Sequence, residues 1–161
     1  MKSLVVFYSH SGNTRQVAQQ IAKITASEWC ELLPVHPYPN AYKEVVEQAK
    51  QEIQAGFLPE IHPISLPLAS YDTIFVGTPN WWSTMAPPVA SFLQQTDLTG
   101  KQIMPFCTHG GGGLARIGRD IARLCPHSQV EEAFAIYGNG GKSLEESLYA
   151  WLQRTGLPVS K

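Results

Sequence analysis

The chain alternates short, unbroken apolar runs with longer segments whose apolar residues recur every three or four positions. Leu4 to Tyr8 is the first run, apolar on both parities, as expected of a central strand covered on both faces. Val17, Ala18, Ile21, Ala22 and Ile24 follow at helical spacing and predict a helix from about Thr14 to Ala26. A second strand is expected at Cys30 to Val35, a short run into which Pro34 cuts. Further runs at Thr73 to Gly77 and Lys101 to Thr108 predict the third and fourth strands. Between these two, a helix is expected to start near Pro87 or Pro88, since proline is tolerated in a first turn, and to carry Val89, Phe92 and Leu93 inward to about Gln95. Ile117, Ile121 and Leu124 mark the next helix, Val130 to Tyr137 a fifth strand, and Leu144, Leu148, Trp151 and Leu152 one face of a last helix. Five strands alternating with helices predict an α/β fold with a doubly wound parallel sheet.

One stretch departs from this rhythm. Pro34 to Pro67 holds six of the chain's twelve prolines. Inside it, Tyr42, Val45, Val46, Ala49 and Ile53 form the apolar side of one more helix, with Lys43, Glu44, Glu47, Lys50 and Glu52 on its polar side. About a dozen helical residues cannot build a core of their own. Residues 34–70 are therefore expected to be a decorated connection within a single domain, 1–161, and the pattern assigns this connection no function.

Composition narrows the class. With 161 residues, 43% hydrophobic and 16% charged, the chain has the make-up of a folded globular domain. Twelve basic and 13 acidic residues give a net charge of -1, which removes any electrostatic reason to expect nucleic acid or an anionic membrane surface as partner. No apolar run is long enough to span a bilayer, and Met1-Lys2-Ser3 leads straight into the first strand without a signal-peptide pattern, so a cytoplasmic location is expected. Cys30, Cys107 and Cys125 are odd in number and far apart, which suits buried free thiols better than a disulfide framework or a zinc site.

Candidate chemistry gathers in the loops that follow strands. Ser9-His10-Ser11-Gly12-Asn13-Thr14 joins the first strand to the first helix and offers three hydroxyls, a glycine and the unpaired amides of a helix start, a set that can surround an anion. Ser, Asn and Thr are also preferred helix caps, so composition alone leaves an ordinary helix start open. The order of residues says more. Val5, Val6, Phe7, Ser9, Gly12, Thr14, Ala18 and Ile21 match, position by position, the FMN phosphate-loop signature of the flavodoxin family, and the chain resembles a short-chain flavodoxin over nearly its whole length.

That resemblance implies a flavodoxin-like three-layer sandwich with strand order 2-1-3-4-5 and FMN as cofactor at the switch point between strands 1 and 3; flavodoxin is itself a model case of the switch-point rule. The loop after the third strand, Thr78-Pro79-Asn80-Trp81-Trp82, places two indoles where a flat ring needs an aromatic wall, although either indole alone could be core or surface. After the fourth strand comes Thr108-His109-Gly110-Gly111-Gly112, whose bare backbone lets a ligand approach closely. By resemblance, Thr108 to Gly112 make the remaining contacts to the flavin ring. FMN would carry the chemistry, with His109 a candidate proton donor.

Competing motifs fail on particular residues. Gly138-Asn139-Gly140-Gly141-Lys142-Ser143 resembles the end of a P-loop, but Ile136 stands where the first glycine belongs. A phosphoacceptor receiver domain needs acidic residues at the end of its first strand, and Phe7-Tyr8-Ser9-His10 has none. His10 and His109 have no carboxylate or thiolate at ligand spacing, and Cys107 has no base placed beside it by sequence. Two features depart from an electron-shuttling flavodoxin: the balanced charge, with only Glu131-Glu132 and Glu145-Glu146 as local acidic patches, and the lack of a covering tyrosine after the fourth strand. The expected function is electron transfer through bound FMN to a redox partner protein. The alternatives are an NAD(P)H-dependent reductase of quinones or other small molecules, and a flavodoxin-fold binding module without flavin.

Overall fold

The computed structural model describes residues 2–157; Met1 and residues 158–161, included in the single-domain expectation, lie outside the described residues. In chain order the elements are β1 (Ser3–Phe7), α1 (Asn13–Thr25), β2 (Glu28–Glu31), α2 (Tyr42–Ala55), β3 (Thr73–Trp81), β4 (Thr84–Met85), α3 (Pro87–Gln95), β5 (Gln102–His109), α4 (Ile117–Leu124), β6 (Gln129–Val130), β7 (Phe134–Tyr137) and α5 (Leu144–Arg154). β1 pairs in parallel with β2 and β3, β3 with β5, and β5 with both β6 and β7. The order β2-β1-β3-β5-β6 is the expected 2-1-3-4-5, with β5 as fourth strand and the fifth place shared by β6 and β7.

Side-chain alternation splits the core between the two faces of this sheet. Leu4, Val6, Ile74, Val76 and Ile103 point to one face, where they pack with Val89 and Phe92 of α3 and Ile117 and Ile121 of α4. Val5, Phe7, Phe75, Met104 and Phe106 point to the other, against Val17 and Ile21 of α1 and Leu148 and Trp151 of α5. Fully buried aliphatics such as Ile21 each contribute about 1.5–3 kcal/mol by leaving water. The helices stop and start where their chemistry dictates. α1 ends on Ala26 in the left-handed region, whose amide returns to the Ala22 and Lys23 carbonyls, and α3 begins with proline in its first turn.

Two strand expectations need correction. The second strand is Glu28–Glu31, not Cys30 to Val35. As an edge strand it tolerates polar Glu28 and Glu31, and Pro34, lacking an amide hydrogen, instead makes an isolated antiparallel bridge with Ile61. The fifth strand is not continuous. Ile103 faces Val130 while Phe106 faces Phe134, so three steps along β5 match four on its partner, and the extra residue makes a bulge at Glu131–Ala133, where the Glu131 amide still donates to the Ile103 carbonyl at 2.9 Å. Trp151 uses this gap, its indole N–H donating to the Glu132 carbonyl at 2.8 Å.

The third strand runs further than expected. β3 continues through Thr78–Trp81 and folds back on β4, with Asn80 opposite Met85 and Trp81 opposite Thr84. The buried Val45 of α2 packs into the core on the α3 and α4 face. Cys107 and Cys125 are buried and Cys30 is half-buried, all free. Among the described residues, no helix is long and apolar enough to cross a membrane.

Gly77 is the tightest point of the sheet, because a β-carbon there would sit 2.2 Å from the Phe106 ring that lies over it. Gly77→Ala therefore has to expel that ring from the core. Urea unfolding should show a loss of about 1–3 kcal/mol, and full stability in the variant would mean that the ring is free to move.

Candidate functional site

Because β1, β3 and β5 run parallel and in step, their C-terminal ends open on one edge of the sheet. There they border a cleft of about 590 Å³. Its floor and one side come from the three strand-end loops: His10, Ser11 and Asn13 after β1, Pro79, Asn80, Trp81 and Trp82 at the tip of β3, and Thr108, His109 and Gly110 at the end of β5. Most of the residues singled out from sequence are brought together here.

The loop after β1 is a helix start whose donors are left over. Gly12 takes a φ of 101°, open to glycine and strained for other residues, and provides no side-chain cap. The Ser9 hydroxyl oxygen, buried beneath, accepts the amides of Gly12 and Arg15, both at 3.2 Å. Asn13 and Thr14 open α1, so their amides have no intrahelical acceptor. Thr14 is buried and its hydroxyl shares a 2.8 Å hydrogen bond with Thr108 from β5; one of the two hydroxyls donates, leaving the other's hydrogen for a ligand. Arg15, the nearby cation, is committed elsewhere. Its guanidinium makes a two-pronged pair with Glu31, at 3.1 and 2.6 Å, and that hydrogen bond raises its pKa. Amides and hydroxyls with no free cation are a donor set that fits a phosphate group.

The tip of β3 is strained and heavily tied. Trp82 and Ser83 both have positive φ, 56° and 70°, the geometry of a two-residue hairpin turn that normally takes glycine or asparagine. Such residues cost about 1–3 kcal/mol each unless their surroundings hold them. Here the surroundings do. The Ser83 amide donates to Asn80 Oδ1 at 3.0 Å, its carbonyl accepts the Arg116 amide at 3.0 Å, and Asn80 Nδ2 donates to the Gly113 carbonyl at 2.8 Å. Thr84 donates to the buried Asp120 at 2.6 Å, with Arg116 and Arg123 at 3.7 and 3.5 Å from the same carboxylate. The Trp82 indole N–H reaches across to the Val46 carbonyl of α2 at 3.0 Å.

The two indoles have different duties. Trp81 is half-buried and meets Tyr8, Tyr38 and His10 edge to face, with ring centroids 5.5, 5.0 and 6.0 Å away. His10 is held by a 2.8 Å bond between its Nε2 and the Pro39 carbonyl, which requires the proton on Nε2. Burial, and then the carboxylates of Glu31 and Glu52, push the Tyr8 phenol well above its ordinary range; burial and its hydrogen bond to Glu52 do the same for Tyr38. Trp82 is exposed at the mouth of the cleft, with Lys50 over its ring at 5.5 Å.

Six residues expected in the site do not line the cleft: Ser9, Gly12 and Thr14 in the loop after β1, and Thr78, Gly111 and Gly112. Thr78 is fully buried behind the cleft, its hydroxyl accepting the Ala86 amide and donating to the Pro79 carbonyl, so it shapes the hairpin. The Gly111 amide donates to His109 Nδ1 at 3.1 Å, and Gly112 backs on to Asn80, where a β-carbon would stand 3.2 Å from Nδ2. Neither glycine borders the cleft, unlike Gly110. Burial pushes the Cys107 thiol up to about 12, which keeps it protonated and unreactive at neutral pH. Among the described residues, no group of His, Cys, Asp and Glu side chains is placed to hold a metal ion.

Other lining residues escaped sequence reasoning. Tyr42, Val45, Val46 and Ala49 of α2 form the opposite wall, and Tyr137 and Gly138 at the end of β7 close one side. Tyr137 was overlooked although it ends a predicted parallel strand, and strand C-terminal ends are where such sheets bind ligands; for α2 the periodicity showed an apolar face but not what that face borders.

The fold and the site together define a doubly wound α/β protein with a phosphate-type loop and an aromatic-lined cleft at its switch point. Residues 2–155 match the family model described as flavodoxin, and the chain belongs to the flavodoxin family. Solved structures agree on the fold. A protein of Bacteroides eggerthii provisionally named a flavoprotein superposes with a TM-score of 0.86 at 22% identity, over 98% of this chain and 99% of its own. A flavoprotein from Lactobacillus acidophilus in complex with FMN gives 0.73 at 23% identity, over 91% and 98%. A flavodoxin from the domain Archaea gives 0.58 at 18%, over 95% of each chain.

The hairpin supplies a test of how the site is held. Asp120→Ala leaves the Thr84 hydroxyl buried without an acceptor, so unfolding should show a loss of about 1–3 kcal/mol, together with a red shift of tryptophan emission as the turn loosens. A stable variant with unchanged emission would mean that the other ties suffice.

Proposed function

We propose that this chain is a redox protein that passes electrons through a bound FMN. FMN is the cofactor of the flavodoxin family to which the chain belongs, and the L. acidophilus relative is a complex with FMN. The observation that carries the reading is the loop Ser9–Thr14, where amides and hydroxyls converge with no cation of their own. Ser9, Ser11, Gly12, Asn13 and Thr14 would hold the phosphate. His10, Pro79, Asn80, Trp81, Trp82, Thr108, His109 and Gly110 would surround the remainder, and Gly111 and Gly112 would support that wall from behind, as Thr78 does the hairpin. When bound, FMN supplies one- and two-electron redox chemistry; the chain positions the ring and excludes water. The three free thiols suit a reducing cytoplasm.

Two routes for the electrons remain, and one observation argues against a third, a strongly steered carrier. Among the described residues, no Asp, Glu, Lys or Arg side chain lines the cleft, and the chain's charges nearly balance. Charge steering of a basic partner protein would be weak, which favours either a carrier of low selectivity or a reductase of small uncharged molecules. NADH or NADPH consumption with a quinone, followed across salt concentration, distinguishes these; salt-sensitive transfer to a basic redox protein without such turnover identifies a steered carrier. A flavodoxin-fold module without flavin is excluded once purified protein carries a flavin absorbance spectrum.

The phosphate loop gives the sharpest mutational test. Thr14→Val removes a buried hydroxyl donor and should weaken FMN by about 1–3 kcal/mol in a flavin fluorescence titration, while Thr14→Ser should restore binding. Equal affinity in all three proteins would remove Thr14 from the site.

A further inference from the structure

The cleft has two unlike walls. The strand-end wall is rich in backbone and polar side chains. The α2 wall presents mainly side chains, because backbone groups inside a helix bond to one another; the Val46 carbonyl is taken up by the Trp82 indole N–H. Its surface toward the cleft is Tyr42, Val45, Val46 and Ala49, while Lys43, Glu44, Glu47, Gln48 and Gln51 line a separate outward groove. Lys50, a cation near the cleft mouth, is held over the Trp82 ring.

Exposed aromatics ring the same opening. Tyr42 is 81% exposed, Tyr137 68% and Trp82 46%, and all three border this one cleft although they come from α2, β7 and the β3–β4 turn. Aromatic surface left in water is costly, and its concentration around one cavity marks a place where a flat apolar group is covered. A hydrogen-bond donor stands at the edge. Because His109 Nδ1 accepts the Gly111 amide, the ring hydrogen sits on Nε2, and the same ring meets Tyr137 edge to face at 6.0 Å.

We infer that the α2 wall, with Tyr42, Val46 and Tyr137, is a second subsite of the cleft that takes a small, planar, uncharged ring bearing carbonyl oxygens, a quinone-class molecule, beside the cofactor. This rests on the FMN reading and names the substrate class of the same site. The occupant is flat because the walls are aromatic and aliphatic, uncharged because no ionic side chain among the described residues lines them, and carbonyl-bearing because His109, which lines the same cleft, carries its ring hydrogen on Nε2.

The test is equilibrium binding to the oxidised, FMN-loaded protein by calorimetry, with menadione as the neutral probe and 1,2-naphthoquinone-4-sulfonate as an anionic ring of similar shape. FMN content is read first from visible absorbance. Menadione should bind, the sulfonate at least tenfold more weakly, and Tyr42→Ala and Val46→Glu should each weaken menadione about tenfold with FMN content unchanged. Tyr42 is so exposed that its truncation leaves the fold intact, which covers the case of a Val46→Glu chain that misfolds. Failure of menadione to bind, equal binding of the two probes, or wild-type affinity in Tyr42→Ala overturns the subsite. Loss of FMN from Tyr42→Ala also overturns it, since that wall would then belong to the cofactor. A wild-type chain that takes up no FMN, visible before any quinone is added, sinks the FMN reading and the subsite with it.

Discussion

Parallel pairing of β1, β3 and β5 is the constraint on which the molecule depends. Strands that run the same way and stay in register must end on the same edge, so the segments that leave them converge whether or not they are near in sequence. Thr14 and Thr108 lie 94 residues apart and share a hydrogen bond for this reason alone. The same geometry aims the start of α1 into the gap between β1 and β3. A helix start that would elsewhere be capped by a side chain is left with open donors.

Around that edge the chain places strain and neutralises charge. The β3–β4 turn holds Trp82 and Ser83 in a left-handed conformation; four hydrogen bonds tie it to Val46 of α2, Asp120 of α4, Arg116 just before α4 and Gly113, and a fifth, from the Ser83 amide to Asn80, closes the turn on itself. A loop fixed so firmly can present an indole without rearrangement when a ligand arrives, which is where preorganisation adds affinity. Charge is treated in the opposite way. Arg15 is turned to Glu31 and Lys50 to the Trp82 ring, so the cleft is uncharged although ionic side chains stand close by. In the proposed reading, anion recognition would then fall to amides and hydroxyls, whose directionality suits a tetrahedral phosphate better than a generic negative charge.

Much of this was legible in the sequence where local pattern and long-range structure agree. Leu4 to Tyr8, the α1 face and the prolines opening α3 each carry a signal contained within a dozen residues, and the structure follows them to within one residue at most boundaries. The second strand was misplaced because an edge strand is free of the apolar demand that identifies central ones, and Glu28 and Glu31 gave no sign of it. The bulge at Glu131–Ala133 depends on register against β5, which is invisible in the segment itself. In the candidate site, the loop Ser9–Thr14 stands out in the sequence because its residues are contiguous. The α2 wall was not, because its apolar face reads alike whether it borders core or cleft. Thr78 shows the reverse case: a hydroxyl at the right position in sequence that the fold spends on its own hairpin.

The central claim is that a neutral loop recognises the phosphate of FMN. Parallel titrations of the apoprotein with FMN and with riboflavin, which differ only in that phosphate, test it most directly, each repeated at low and high salt. The account predicts that FMN binds at least tenfold more tightly, about 1.4 kcal/mol, with a preference that salt barely changes, because the donors are dipoles and not free ions. Equal affinity for the two flavins, or a preference abolished by salt, would contradict it.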